Sequence, residues 1–128
     1  MMGQHIRDQG ITMVVPVPLH PDRLRTRGYN QSAWLVEGIQ QVTGLVDGSS
    51  FLKRTMAATS QTLRGRAARL RNVAGGFTLH AGPELVGQHV LLVDDVMTTG
   101  ATLETCGQAL LRAPQLRLSM AVAAYTEA

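Results

Sequence analysis

Cysteine is almost missing from this chain: Cys106 is the only one in 128 residues. That excludes an internal disulfide and any multi-cysteine zinc centre, and it points to a reducing, cytoplasmic setting. Aromatics are scarce as well. One Trp, two Tyr and two Phe are too few for the stacking platform on which single-strand nucleic-acid binders rely. No apolar run approaches the ~20 residues of a membrane span, and the opening MMGQHIRDQG lacks the apolar core of a secretory leader. Lysine is nearly absent, since of twelve Lys and Arg residues only Lys53 is a lysine. Arginine's planar fork suits phosphate and carboxylate recognition better than an ammonium does.

What is present is a mixed chain of weakly basic character. Its length fits one domain over residues 1–128, long enough to bury a core without covalent staples. The net charge of +3 is unevenly spread. Residues 48–83 contain no acid, yet Lys53, Arg54, Arg64, Arg66, Arg69 and Arg71 lie among them. Such a stretch either meets an anionic partner (nucleic acid, membrane surface or polyphosphate metabolite) or is a solvated helix face.

Residues 13–17 read as a buried strand, halted by Pro16, Pro18 and Pro21. Asn30 suits the N-cap of a helix stopped by Gly44, with Trp34, Leu35, Ile39 and Val42 as its buried stripe. Short strands are expected at 51–54 and 77–79. Leu63, Ala67, Leu70 and Val73 or Ala74 predict a basic amphipathic helix over 63–74, ended by Gly75 and Gly76. The run HVLLV at 89–93 has the composition of a parallel strand buried on both faces. A helix over 99–112 closed by Pro114 follows, then an alternating strand over 116–122. Strands alternating with helices predict an α/β fold with a mainly parallel central sheet flanked by helices.

One stretch carries chemistry: VLLVDDVMTTGAT, residues 90–102. A buried strand delivers Asp94 and Asp95 to its C-terminal end, the edge at which open α/β sheets bind ligands. The chain then passes through Thr98, Thr99, Gly100, Ala101 and Thr102 into a helix. Helix N-terminal amides with threonine hydroxyls beside them make a monophosphate cradle, and Gly100 lets backbone approach closely. Acids for a diol and a loop for a phosphate suit a ribose 5-phosphate. A receiver-type acid pair would stand early in the chain, and a nucleoside-triphosphate loop would need G-x-x-x-x-G-K-[ST], which is absent. A plain capped turn would not call for two adjacent acids whose repulsion is unfavourable.

These residues resemble the phosphoribosyl pyrophosphate motif of type I phosphoribosyltransferases. VPVPLHPDRLRTRGYNQS and TSQTLRGRAARLRNVAGGF resemble the ComF/GntX branch of that family, linked to competence and DNA uptake. The resemblance implies a phosphoribosyltransferase-like fold that transfers a 5-phosphoribosyl group between pyrophosphate and a nitrogen base. Asp94 and Asp95 would hold the ribose hydroxyls, and Thr98, Thr99, Gly100, Ala101 and Thr102 the 5-phosphate. Pro18, Leu19 and His20 match the pyrophosphate loop, which in the family often holds a cis peptide. The 54–71 region matches a mobile loop whose Arg54, Arg64 and Arg66 would neutralise pyrophosphate. Mg2+ would enter with the substrate, near Asp94 and Asp95. Members of the branch begin earlier, with a zinc ribbon that this sequence lacks. An acid that handles a base proton in purine-salvage relatives is replaced by Thr98.

Several residues admit two readings. His20 is a pyrophosphate ligand or a turn histidine; Arg23, Arg25 and Arg27 bind phosphate or are solvated. Tyr29 and Trp34 are the aromatics available to a base, though the stripe puts Trp34 in the core. Cys106 is expected to be buried and inert. The expected partners are phosphoribosyl pyrophosphate and a nucleobase or other nitrogen acceptor, with a homodimer plausible and no membrane. The alternatives to an enzyme are a non-catalytic nucleotide-binding module and an accessory module of DNA uptake.

Overall fold

The computed structural model describes residues 6, 8–19, 28, 30–54, 73–74, 76–80, 83–97 and 100–125. The first strand, β1 (Met13–Pro16), is buried at every position. β-Branched valines favour the extended chain, and both faces are covered. It pairs in parallel with β2 (Val46–Asp47) on one side and β6 (His89–Met97) on the other, in the register Met13↔Val90 to Pro16↔Val93. Beyond β6 lies β7 (Arg117–Tyr125), also parallel, so the sheet order is β2-β1-β6-β7. The mainly parallel α/β architecture is as expected.

Between β1 and β2 runs α1 (Gln31–Thr43). Asn30 caps it as expected, its side chain accepting from the Ser32 and Ala33 amides, and Gly44 ends it at φ 75, a left-handed conformation that favours glycine. The buried stripe differs from the expected one. Ser32 and Val36 are buried and Leu35 and Ile39 partly so, whereas Trp34 and Val42 are 62% and 65% exposed. At 100° per residue Trp34 stands roughly 160° from both Ser32 and Val36. Packing of Val36 against Val14, Leu91 and Val93 selects the rotation, which hydrophobicity alone does not.

A second, antiparallel sheet has the order β3-β5-β4, formed by β3 (Leu52–Arg54), β4 (Val73–Ala74) and β5 (Phe77–Leu79). Strands near 51–54 and 77–79 were expected; β4 was not. The helix predicted over 63–74 cannot include its last two residues, because Val73 and Ala74 pair with Thr78 and Phe77. Gly76 at φ 93 sits in the tight connection that turns the chain back, where positive φ matches hairpin twist. Residues 55–72, with the rest of that predicted helix, lie outside the described residues.

β6 is longer than the five residues expected. It continues through both aspartates to Met97, paired there with β7 (Asp94↔Val122, Met97↔Tyr125). β1 has already ended opposite Val93. The last helix, α2 (Ala101–Leu110), begins and ends slightly inside its expected limits. Alternation along the strands divides the core. Met13, Val15, Val90 and Leu92 meet α2 and the small sheet through Cys106, Leu110, Leu52 and Phe77. Val14, Leu91 and Val93 meet α1 on the opposite face.

Gly48 shows how closely β2 is followed by core. A Cβ there would lie 2.5 Å from the Met13 sulfur and 2.9 Å from a Val15 methyl. Gly48→Ala is therefore expected to destabilise the chain by about 1–3 kcal/mol through overpacking, read as a lower urea midpoint at unchanged slope.

Candidate functional site

Because β6 outruns β1, its acid pair emerges at the C-terminal edge of the sheet beside the segment that leaves β1. A cleft of about 410 Å3 lies there. It is lined by Val17, Pro18 and Leu19 after β1, by Asn30, Gln31 and Ser32 at the start of α1, by Arg54 of β3, by Asp94, Asp95 and Val96 of β6, and by Thr102 of α2. Five chain segments remote in sequence thus share one concavity, at the place where open parallel sheets bind ligands.

Asp94 is half-buried and held in position. Its Oδ1 accepts from the Ser32 hydroxyl at 3.2 Å and from the Asp95 amide at 2.9 Å. Burial pushes its carboxyl above the usual carboxylate range, and the neighbouring Asp95 side chain adds to that, while the hydrogen bonds from the Asp95 backbone and Ser32 act in the opposite direction. Asp95 turns back to accept from the Val96 amide at 2.8 Å. Arg54 is the basic residue among the described lining of the cleft. Its guanidinium carbon lies 4.7 Å from the centre of the Phe77 ring, and Nη1 donates to the Pro18 carbonyl at 3.5 Å. Asn30 Nδ2 donates to the Val17 carbonyl at 3.3 Å.

Of the residues singled out from sequence, Pro18, Leu19, Arg54, Asp94, Asp95 and Thr102 meet in this cleft. Arg54 ends the strand expected at 51–54, at the start of the region the resemblance matched to a mobile loop, and its charge is set against a buried ring. Gly100 stands at the N-terminal end of α2 with φ 85, and among the described residues no side chain caps that helix. Gly100 and Ala101 are not among the cleft's lining residues, and Gly100 borders a separate apolar groove with Leu103, Leu118 and Met120. His20, Tyr29, Arg23, Arg25, Arg27, Arg64, Arg66, Thr98 and Thr99 lie outside the described residues. No cis peptide occurs among the described residues. Ser32, Gln31, Val17 and Val96 were missed as site residues, and Asn30 was read only as a helix cap. Ser32's one signal was its place in the segment RGYNQS, because nothing local reveals a partner 62 positions away.

Cys106 lies beneath the site, fully buried. Burial first, and then the charge of Asp94, push its thiol up to about 12. Since the thiolate is the reactive form, Cys106 is expected to resist a disulfide reagent in the native chain and react at once in denaturant.

A parallel sheet with an acid pair at its C-terminal edge, a basic side chain across the cleft and a helix start beside them defines a phosphoribosyltransferase-type α/β domain. The chain belongs to the phosphoribosyl transferase domain family, which matches residues 31–127. It is 35% identical over 99 residues to the DNA utilization protein YhgH of Escherichia coli K12, an alignment covering 77% of this chain and 43% of that protein. Competence protein F of Haemophilus influenzae is 33% identical over 91 residues, covering 70% and 40%. Competence protein ComFC of Streptococcus pneumoniae is 36% identical over 89 residues, covering 70% and 37%. These similarities identify the ComF-type branch, and the chain spans less than half the length of these relatives. The hypoxanthine phosphoribosyl transferase of Trypanosoma cruzi has a similar fold, with a TM-score of 0.52 at 15% identity over 99% of this chain and 69% of that one. No helix among the described residues is long and apolar enough to cross a membrane.

Proposed function

We propose that the cleft binds phosphoribosyl pyrophosphate and that the chain transfers its 5-phosphoribosyl group to a nitrogen base, or the reverse. The observation that carries this reading is the convergence of Asp94, Asp95, Arg54 and Thr102 on one cleft. In this reading Asp94 and Asp95 accept hydrogen bonds from the two ribose hydroxyls. Thr98, Thr99, Gly100, Ala101 and Thr102 enclose the 5-phosphate. Pro18, Leu19 and His20 receive pyrophosphate, and Arg54, with Arg64 and Arg66, offsets its charge. The C1–O bond breaks as pyrophosphate leaves with the bonding pair, and the nearby carboxylates stabilise the positive charge that develops on the ribose. The base nitrogen forms the new C1–N bond and releases its proton to solvent. Holding the reactants in line provides the rest.

Mg2+ fits this donor set in a restricted sense. The described residues contain no cluster of three or more potential metal ligands, so those residues alone do not cage an ion. Mg2+ commonly keeps waters and substrate oxygens and uses few carboxylates, which agrees with an ion carried by the diol and pyrophosphate beside the acid pair. When bound it would neutralise pyrophosphate. The partners are then phosphoribosyl pyrophosphate and a nucleobase or other nitrogen acceptor; whether two copies pair is decided by sedimentation mass.

Pyrophosphate release from phosphoribosyl pyrophosphate with Mg2+, across a panel of nucleobases, tests turnover. Binding with no release for any base leaves a non-catalytic binding module. The names of the curated relatives favour a second reading, an accessory role in DNA uptake. Retained phosphoribosyl pyrophosphate binding alongside DNA binding that disappears in Arg64→Ala/Arg66→Ala would favour it.

A further inference from the structure

The start of α1 does more than begin a helix. Asn30 uses both ends of its amide: Oδ1 accepts from the Ser32 and Ala33 amides at 2.8 and 3.4 Å, and Nδ2 reaches the Val17 carbonyl at 3.3 Å. Two residues on, the Ser32 hydroxyl donates to Asp94 Oδ1. Ser32 is one of two buried polar residues among those described, 3% exposed. A hydroxyl buried so completely is retained with its hydrogen bond made, and here the acceptor is the carboxylate at the lip of the cleft. Ser32 also faces the cleft from the helix's first turn, so the contact fixes where Asp94 points as well as where α1 begins.

We propose that residues 30–32 form a positioning clamp that fastens both walls of the cleft to the start of α1. Asn30 holds the turn after β1, and Ser32 orients the Asp94 carboxylate. Neither residue needs to touch the reacting atoms. Without Ser32, the Asp94 carboxyl loses the one donor that reaches it from α1 and keeps only its sequence neighbour Asp95 as a described partner, so it is held less firmly. Without the Asn30 donor, the Val17 carbonyl loses its hold on the helix and residues 17–19 shift relative to the acids. An Asn at this position is specific. Asp would cap the helix as well but only accepts, and a Ser hydroxyl puts donor and acceptor on one atom nearer the backbone. The amide carries them on two separate atoms that reach the Ser32 amide and the Val17 carbonyl at once.

The inference rests on the phosphoribosyl reading for its ligand, and its test separates the two. The full chain is compared with Asn30→Ser and Ser32→Ala by thermal unfolding, by amide exchange at Asp95, and by titration with phosphoribosyl pyrophosphate and Mg2+. Ser caps as well as Asn, so Asn30→Ser is expected to melt near the parent. Ser32→Ala is expected to speed exchange of the Asp95 amide. Each variant is expected to bind about tenfold or more weakly, the effect of losing one well-placed hydrogen bond around a charged group. Unchanged Asp95 exchange in Ser32→Ala, or unchanged affinity in both variants, overturns the clamp. If the parent binds nothing while exchange still rises in Ser32→Ala, the contact stands and it is the phosphoribosyl reading that falls.

Discussion

Replacing Asp94 and Asp95 together by asparagine is expected to weaken phosphoribosyl pyrophosphate binding by at least ~100-fold while leaving the fold intact. Each carboxylate offers a charge-assisted acceptor to a ribose hydroxyl, and hydrogen bonds to charged groups contribute about 1.5–3 kcal/mol apiece. Stability should move the other way. The Asp94 carboxyl is held above its ordinary value of 3.8, with burial the largest cause. Between 3.8 and the raised value the folded chain binds more protons than the unfolded one. Stability attributable to this group therefore falls as pH rises through that window, and the penalty is complete above it. Asp94→Asn removes it, so the variant should melt no lower than the parent at pH 7, and modestly higher, since the carboxyl is only half-buried. Calorimetric titration and melting of the same samples check both halves. Retained affinity would end the assignment of the ribose site, and a lower melting temperature would contradict the account of Asp94.

Phe77→Ala is expected to have the largest effect on stability, about 3–5 kcal/mol, as for other buried aromatics cut back to alanine. Phe77 is 2% exposed and belongs to the core between the parallel sheet, α2 and the small sheet. It also lies directly across from Arg54 in the β3–β5 register, where its ring supports the guanidinium. The conservative Phe77→Leu separates these roles. It keeps most of the apolar volume and should cost about 1.5 kcal/mol or less, yet it removes the cation–π contact, worth ~0.5–2 kcal/mol. Inorganic pyrophosphate should then bind several-fold more weakly to Phe77→Leu than to the parent. Urea unfolding and pyrophosphate titration provide the measurements. If Phe77→Leu binds pyrophosphate like the parent, the ring does not position Arg54 for an anion.

Some of the architecture was readable in local chemistry. The apolar segment at β1 read as a buried strand, and the run at 89–93 had the composition of a parallel strand buried on both faces. Asn30 and Gly44 marked the helix between them because capping and positive φ are properties of single residues. Other features needed partners. β4 is two residues long and carries no period of its own, so a helical repeat running up to it masked a strand that exists through pairing with β5. The helical repeat that placed Trp34 in the core could not distinguish between rotations that the facing valines later decided.

The amino-acid sequence by itself determined the alternation of strands and helices, the caps of α1, the family, and the acid pair at the end of a buried strand, because each is written in consecutive residues or in a period. Tertiary structure alone decided which residues share the cleft. Ser32 reaches Asp94 across 62 positions, Asn30 reaches Val17 across 13, and Arg54 meets the Pro18 carbonyl across 36. Such contacts depend on sheet order and on how far β6 runs past β1. Those follow from the packing of the whole core, to which no short segment gives access.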